Sequence, residues 1–152
     1  MIALTPEMTY RVRTSDPLEP TAGAPSGTRQ YWRVTEATLR GARISAALTS
    51  PGMDWMAVGE DGFWRPDVRA AFLTDDAAVV FLHYTGLVEQ SDAFKAAADE
   101  DRETGWDDQY MRLSMRFETG APRYAWLTTS LFVARGRLLG TAHIEYDVYR
   151  VT

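Results

Sequence analysis

Apolar and polar residues alternate with a period of two along most of this chain, a pattern that belongs to half-buried β-strands and not to helices. The cleanest stretch is Tyr110–Thr119, where Tyr110, Arg112, Ser114, Arg116 and Glu118 share one face and Met111, Leu113, Met115 and Phe117 share the other. Similar runs lie near 8–14, 29–36, 42–49, 54–58, 67–74, 78–85, 124–134 and 141–151. Turn chemistry separates them at Pro51-Gly52, Asp61-Gly62, Asp75-Asp76, Gly120-Ala121-Pro122 and Gly136.

Two segments break the alternation. Residues 15–28 are rich in Pro, Gly and Ser and read as a loop. Residues 91–103 carry an N-cap serine, a first-turn aspartate and an alanine run, which predicts a short helix. The acidic insertion around it, 90–108, reads as a solvated connection. Nine or so short strands with one helical insertion predict an all-β chain: a single antiparallel β-barrel of about eight to ten strands, one domain spanning 1–152. A closed barrel has no edges, and at this size it is wide enough for a small ligand. A jelly-roll-like sandwich is the alternative.

Composition narrows the chemistry. The 152 residues carry a net charge of −5, which gives no general attraction to nucleic acid or anionic lipid. No cysteine is present, excluding disulfides, thiolate catalysis and cysteine-ligated metal. Lys95 is the one lysine, and it sits in a polar, alanine-rich stretch, so pyridoxal or Schiff-base chemistry finds no core lysine. The start, MIALTPEMTYRVRT, does not read as a signal peptide, and no apolar stretch approaches the ~20 residues that span a bilayer. The expectation is a soluble, cytoplasmic protein with neither nucleic acid nor membrane as partner. Aromatic residues make up 12%, enough for a core and for a pocket that takes a flat ligand. Exposed aromatics such as Trp32 or Trp64 could sit at the interface of a homo-oligomer.

Nucleotide-binding glycine motifs and the GxSxG elbow are absent. The two histidines, His83 and His143, are too few and too far apart in sequence to signal a metal site. What remains is a set of polar groups inside strands. Asp67 and Arg69 share a face, as do His83 and Thr85, with Tyr84 on the opposite face; Arg112, Arg116 and Glu118 lie with Tyr110. Periodicity favours a solvated outer face with cross-strand salt bridges. The rival is a semi-polar lumen in which arginine grips a carboxylate and a tyrosine or glutamate moves a proton.

An ordered series of short motifs adds to this. Gly41-Ala42-Arg43-Ile44-Ser45, Pro51-Gly52-Met53-Asp54-Trp55, Glu60-Asp61-Gly62, Asp67-Val68-Arg69, Leu73-Thr74-Asp75-Asp76 and Tyr84-Thr85-Gly86 come first. Tyr110-Met111-Arg112, Phe117 through Leu127 and Tyr146 through Val151 follow. From about residue 28 to the end, the series resembles the bacterial domain-of-unknown-function 3237 family of small β-barrel proteins. The resemblance departs at Ala46-Ala47, where the family tends to have Gly-Thr, and at Thr128, where it tends to have asparagine. It implies a cofactor-free, metal-free lyase that decarboxylates a para-hydroxylated, lignin-derived aromatic acid. By matching motif, the catalytic candidates are Arg69, Arg112, Tyr84, Glu118 and Asp54, and the substrate-binding candidates are Trp55, His83, Tyr110, Tyr124 and Trp126. An isomerase or cyclase on an aromatic or polyketide-like substrate, and a non-catalytic binding barrel, are the alternatives.

Overall fold

β-Branched and aromatic residues at alternate positions bury one face of each strand, and closing the sheet into a ring lets every buried face meet the others. The computed structural model of the chain describes residues 1–15, 17–18 and 22–152. Among these, nine strands form: β1 (Leu4–Thr14), β2 (Thr28–Gly41), β3 (Ser45–Val58), β4 (Phe63–Arg65), β5 (Asp67–Thr74), β6 (Val79–Glu89), β7 (Met111–Glu118), β8 (Phe132–Gly140) and β9 (His143–Val151). Helix α1 (Asp92–Asp99) joins β6 to β7, and a 3₁₀ turn (Pro122–Tyr124) runs into α2 (Ala125–Thr128). Every pairing is antiparallel, and β1-β2-β3-β5-β6-β7-β8-β9 close on β1 as an eight-stranded ring. The short β4 wedges between β3 and β6 at one rim. The barrel expected from the alternation is therefore the fold.

Three local expectations are corrected. The runs at 42–49 and 54–58 are one strand, because Pro51-Gly52 is absorbed as a register irregularity within β3 and not as a turn. Residues 122–128 coil instead of extending, since Pro122 opens the 3₁₀ turn, so β8 starts only at Phe132. Gly136 is mid-strand opposite Tyr146, and a Cβ there would stand 2.5 Å from the Tyr146 ring and 2.7 Å from Met111 Sδ. That glycine makes room for an aromatic ring. The expected loop at 15–28 lies partly outside the described residues; of those described, Leu18 bridges to Tyr31.

The barrel interior is divided by depth. Its lower half is packed solid by Leu39, Ala46, Phe72, Val80, Phe117 and Phe132, with Tyr124 and Leu127 closing the end. Phe117 and Phe132 meet edge to face at 5.2 Å. Each such buried Leu, Val or Phe side chain contributes about 1.5–3 kcal/mol relative to exposure. At the other rim lies α1, capped by Ser91, whose hydroxyl accepts from the Phe94 amide at 3.1 Å. Asp101, just past α1, accepts from the Thr141 amide at 2.8 Å, and the Thr141 hydroxyl donates to the Ala98 carbonyl. These bonds hold the helix against the β8–β9 turn, so it is part of the rim and not a free solvated connection.

Candidate functional site

Between the packed lower half and α1 the barrel encloses a cavity of about 410 Å³. Its walls are mostly apolar, with Val12, Val34, Val68, Val88, Met111 and Leu138 supplied by the inward positions of the strands. Trp32, Trp64 and Phe94 line the mouth, where Gln90, Lys95 and Asp99 add polarity. The two tryptophans expected at an interface thus lie half-buried at the entrance.

Three tyrosines stand together at the cavity end of the core. Tyr10 on β1 is directly opposite Tyr146 on β9, and their rings stack at 5.7 Å with 16° between planes. Tyr84 on β6 meets Tyr10 edge-on at 5.7 Å, and the Tyr10 and Tyr84 hydroxyls are 3.4 Å apart. All three are almost completely buried, and burial pushes each phenol above its ordinary pKa. They stay protonated at neutral pH, hydroxyl donors fixed by packing.

Asp54 completes the group. On β3 it pairs with Val68, and Val68 pairs with Tyr84, so one layer carries the carboxyl and the phenol. Only 6% of Asp54 is exposed, and its Oδ1 accepts from the Asp67 amide at 3.1 Å. Burial pushes its pKa up to about 7, with the charge of Asp67 adding to the rise and the amide bond opposing it. The charge of Asp54 in turn helps raise the pKa of Tyr10, Tyr84 and Tyr146. A carboxyl that titrates near neutrality in an apolar cavity beside fixed phenols can take and return a proton.

Of the residues singled out from the sequence, Asp54 and Tyr84 line this cavity. The others lie elsewhere. Arg69, His83 and Glu118 border a groove on the outside of β5–β7, and the His83 Nε2 is 2.9 Å from Asp67 Oδ1. Arg112 also faces outward, 4.8 Å above the Tyr110 ring, and donates to the Met111 carbonyl at 3.0 Å. Trp55 is 44% exposed on the outer wall, edge-on to Tyr31. Tyr124 is buried at the closed end, where its hydroxyl donates to Asp76 at 2.6 Å. Trp126 lies there too, beneath the Arg43 guanidinium at 3.6 Å. The strand arginines stay outside because solvent satisfies a charge that the cavity would strip of water. Among the described residues no three His, Asp or Glu side chains gather as a metal-ligand set.

Sequence reasoning missed Tyr10, Tyr146, Trp32, Trp64 and Lys95. A usable signal for the tyrosines was present: Tyr10 lies between Met8 and Val12, and Tyr146 between Ile144 and Val148, each on the apolar parity of its strand. For Lys95 the signal was absent, because only the docking of α1 carries it to the mouth.

Comparison with known proteins agrees with the architecture. The family described as "Protein of unknown function (DUF3237)" matches residues 2–151. A UPF0311 protein of Rhodopseudomonas palustris strain TIE-1 is 30% identical over 112 residues, 71% of each chain. The crystal structure of a conserved protein from Rhodopseudomonas palustris superposes with a TM-score of 0.88 at 25% identity, covering 100% of this chain and 99% of that one. At 12% identity the likeness is one of fold alone: an enzyme from Penicillium herquei superposes with a TM-score of 0.68 over 100% of this chain and 94% of that one. The match over nearly the whole length shows that the chain belongs to the DUF3237 family.

Proposed function

We propose that the cavity is the active site of a cofactor-free lyase that decarboxylates a para-hydroxylated aromatic acid. The observation that carries the reading is Asp54, a buried carboxyl poised near neutral pH in an apolar cavity that Tyr84 and Tyr146 also line. The phenol end of the substrate sits inward, its oxygen bonded by Tyr84, whose hydroxyl is backed by that of Tyr10. Trp32 and Trp64 flank the mouth, and Lys95 faces the carboxylate. Arg69, Arg112 and Glu118 take no part in this arrangement, since they face outward.

Asp54, as the carboxylate, takes the phenolic proton. The oxygen's electron pair moves through the ring to the side-chain carbon that bears the carboxylate, and that carbon takes a proton from water, giving a quinone methide. The bond to the carboxylate then breaks. Its electron pair restores the aromatic ring, carbon dioxide leaves and is hydrated by the hydroxide formed, and the phenolic oxygen recovers its proton from Asp54. The apolar walls weaken solvation of the substrate carboxylate, which lowers the barrier to its loss.

Isomerisation or cyclisation at a carbonyl is the second reading. It is favoured by one feature: among the described residues that line the cavity, Lys95 is the one cation, and it is largely exposed and 3.4 Å from Asp92. The test is incubation of the protein in heavy water with hydroxycinnamic and lignin-type biaryl acids, followed by mass spectrometry. Loss of carbon dioxide with deuterium at the vacated carbon supports the lyase. A mass-neutral product or exchange alone supports the isomerase. Unchanged acids that quench tryptophan fluorescence would leave a binding barrel.

A further inference from the structure

The outer surface of the barrel has two unlike halves. On β1, β8 and β9, strand-borne arginines meet carboxylates: Arg11 and Arg137 reach Glu145 at 2.6 and 2.9 Å, Arg135 reaches Asp147 at 3.0 Å, and Arg150 reaches Glu7 at 2.7 Å. On β5, β6 and β7 the pattern stops. Arg69, His83 and Arg116 lie directly opposite one another in adjacent strands, three basic groups in one row. His83 has Asp67, but neither Arg69 nor Arg116 has an ion-pair partner among the described residues, and neither has Glu118. Arg69 and Arg116 thus present two guanidinium groups on one face, which a carboxylate from outside the sheet would balance.

The next row along the strands is Ala71, Phe81 and Glu118, again in direct register. Phe81 is 54% exposed, and Leu73 and Val79 beyond it are 42% and 47% exposed. An exposed aromatic ring beside arginine and aliphatic side chains fits the composition of an interface.

We propose that this face docks a second copy of the chain, about a two-fold axis running across the strands between the two rows. Such an axis lays the first row of one copy over the second row of the other, strand β7 antiparallel to β7. Arg116 then meets Glu118 of the partner subunit, and Glu118 meets the partner's Arg116. His83 covers the ring of the partner's Phe81, and the reverse. The charge pattern is self-complementary only in this sense, because Arg116 and Glu118 are two residues apart on one strand face. A closed barrel offers no strand edge for pairing, so association uses its faces or rims. The cavity opens at the rim and remains accessible in this dimer.

Sedimentation equilibrium between ~10 μM and ~500 μM tests it. The wild-type chain is expected at twice 17.1 kDa. Arg116→Glu and Glu118→Arg are each expected as monomers, since each variant sets like charges against each other twice across the axis. An equimolar mixture of the two is expected to recover the dimer, because every clash becomes a pair. Phe81→Arg, which sets a cation over the basic row of the other copy, is expected as a monomer that no mixing rescues. Circular dichroism and thermal melting confirm that each variant is folded. A wild-type monomer over the whole range overturns the proposal, as does a dimer that Phe81→Arg and Arg116→Glu leave intact. A mixture that stays monomeric overturns the stated axis.

Discussion

The hydroxyls of Tyr10 and Tyr84 lie 3.4 Å apart inside the barrel, on strands separated by 74 residues of sequence. Where Tyr10 donates to Tyr84, the Tyr84 hydroxyl keeps its own proton for the cavity, which Tyr84 lines. Both phenols are held protonated by burial, so this pair offers a hydrogen-bond donor to an oxygen anion across the whole neutral range. Replacing Tyr84 with phenylalanine removes the donor and leaves the Tyr10 hydroxyl without its partner. Stability is expected to fall by about 1–3 kcal/mol in urea denaturation. Turnover is expected to fall further than the apparent affinity, because the bond strengthens as charge reaches the oxygen.

Asp54→Asn is expected to reduce kcat/KM by about 100-fold or more while the protein remains folded. In the wild type, the acidic limb of the kcat/KM profile is expected near the Asp54 pKa of about 7, with activity rising as the carboxylate forms. An Asp54→Asn profile with the same limb would assign the titration to another group.

The same residue sets a pH dependence of stability. Its pKa is raised from 3.8 to about 7 by burial, so between those values the native chain keeps a proton that the unfolded chain has released. Stability therefore declines as pH rises through this window. Asp54→Asn escapes the decline and is expected to be more stable than the wild type above pH ~7, by up to ~4 kcal/mol, and to lose that advantage near pH ~4. Urea denaturation at two pH values measures the difference.

Lys95 is the single lysine and lines the mouth. Amine-selective acylation is therefore expected to modify one side chain besides the amino terminus, and a bound aromatic acid is expected to slow it. Lys95→Ala is expected to raise KM for anionic substrates about tenfold and to leave neutral phenols nearly unaffected. Equal effects on both would place the ammonium outside the recognition of charge.

Arg69→Ala and Arg112→Ala are expected to leave turnover within about twofold of wild type, since both side chains face away from the cavity. Inactivation of either, with the fold intact, would move the site to the outer wall.

Strand periodicity carried the fold, because a closed antiparallel sheet repeats one simple rule along nearly all of its length. The deviations came where tertiary packing overrode local chemistry: Pro51-Gly52 bends within β3, and Gly136 stays mid-strand because the Tyr146 ring needs its space. Asp54 and Tyr84 were legible as site candidates by motif. Arg69, Arg112 and Glu118 drew attention as charges in strands, yet they occupy the polar parity and face away from the cavity. Polar groups on the apolar parity were the sharper signal, and Asp54, Tyr10 and Tyr146 all carry it. The mouth was illegible, since Phe94 and Lys95 reach it only through the bonds that Thr141 makes to the end of α1.

Among the described residues, the solid packing of the lower barrel by Phe72, Phe117 and Phe132 leaves the cavity one doorway, past Trp32, Trp64 and Phe94. Incoming and outgoing molecules must share it in turn. Under the proposed chemistry every aromatic product is then a competitive blocker of the next substrate, and release past that doorway sets a ceiling on throughput that faster chemistry inside cannot lift.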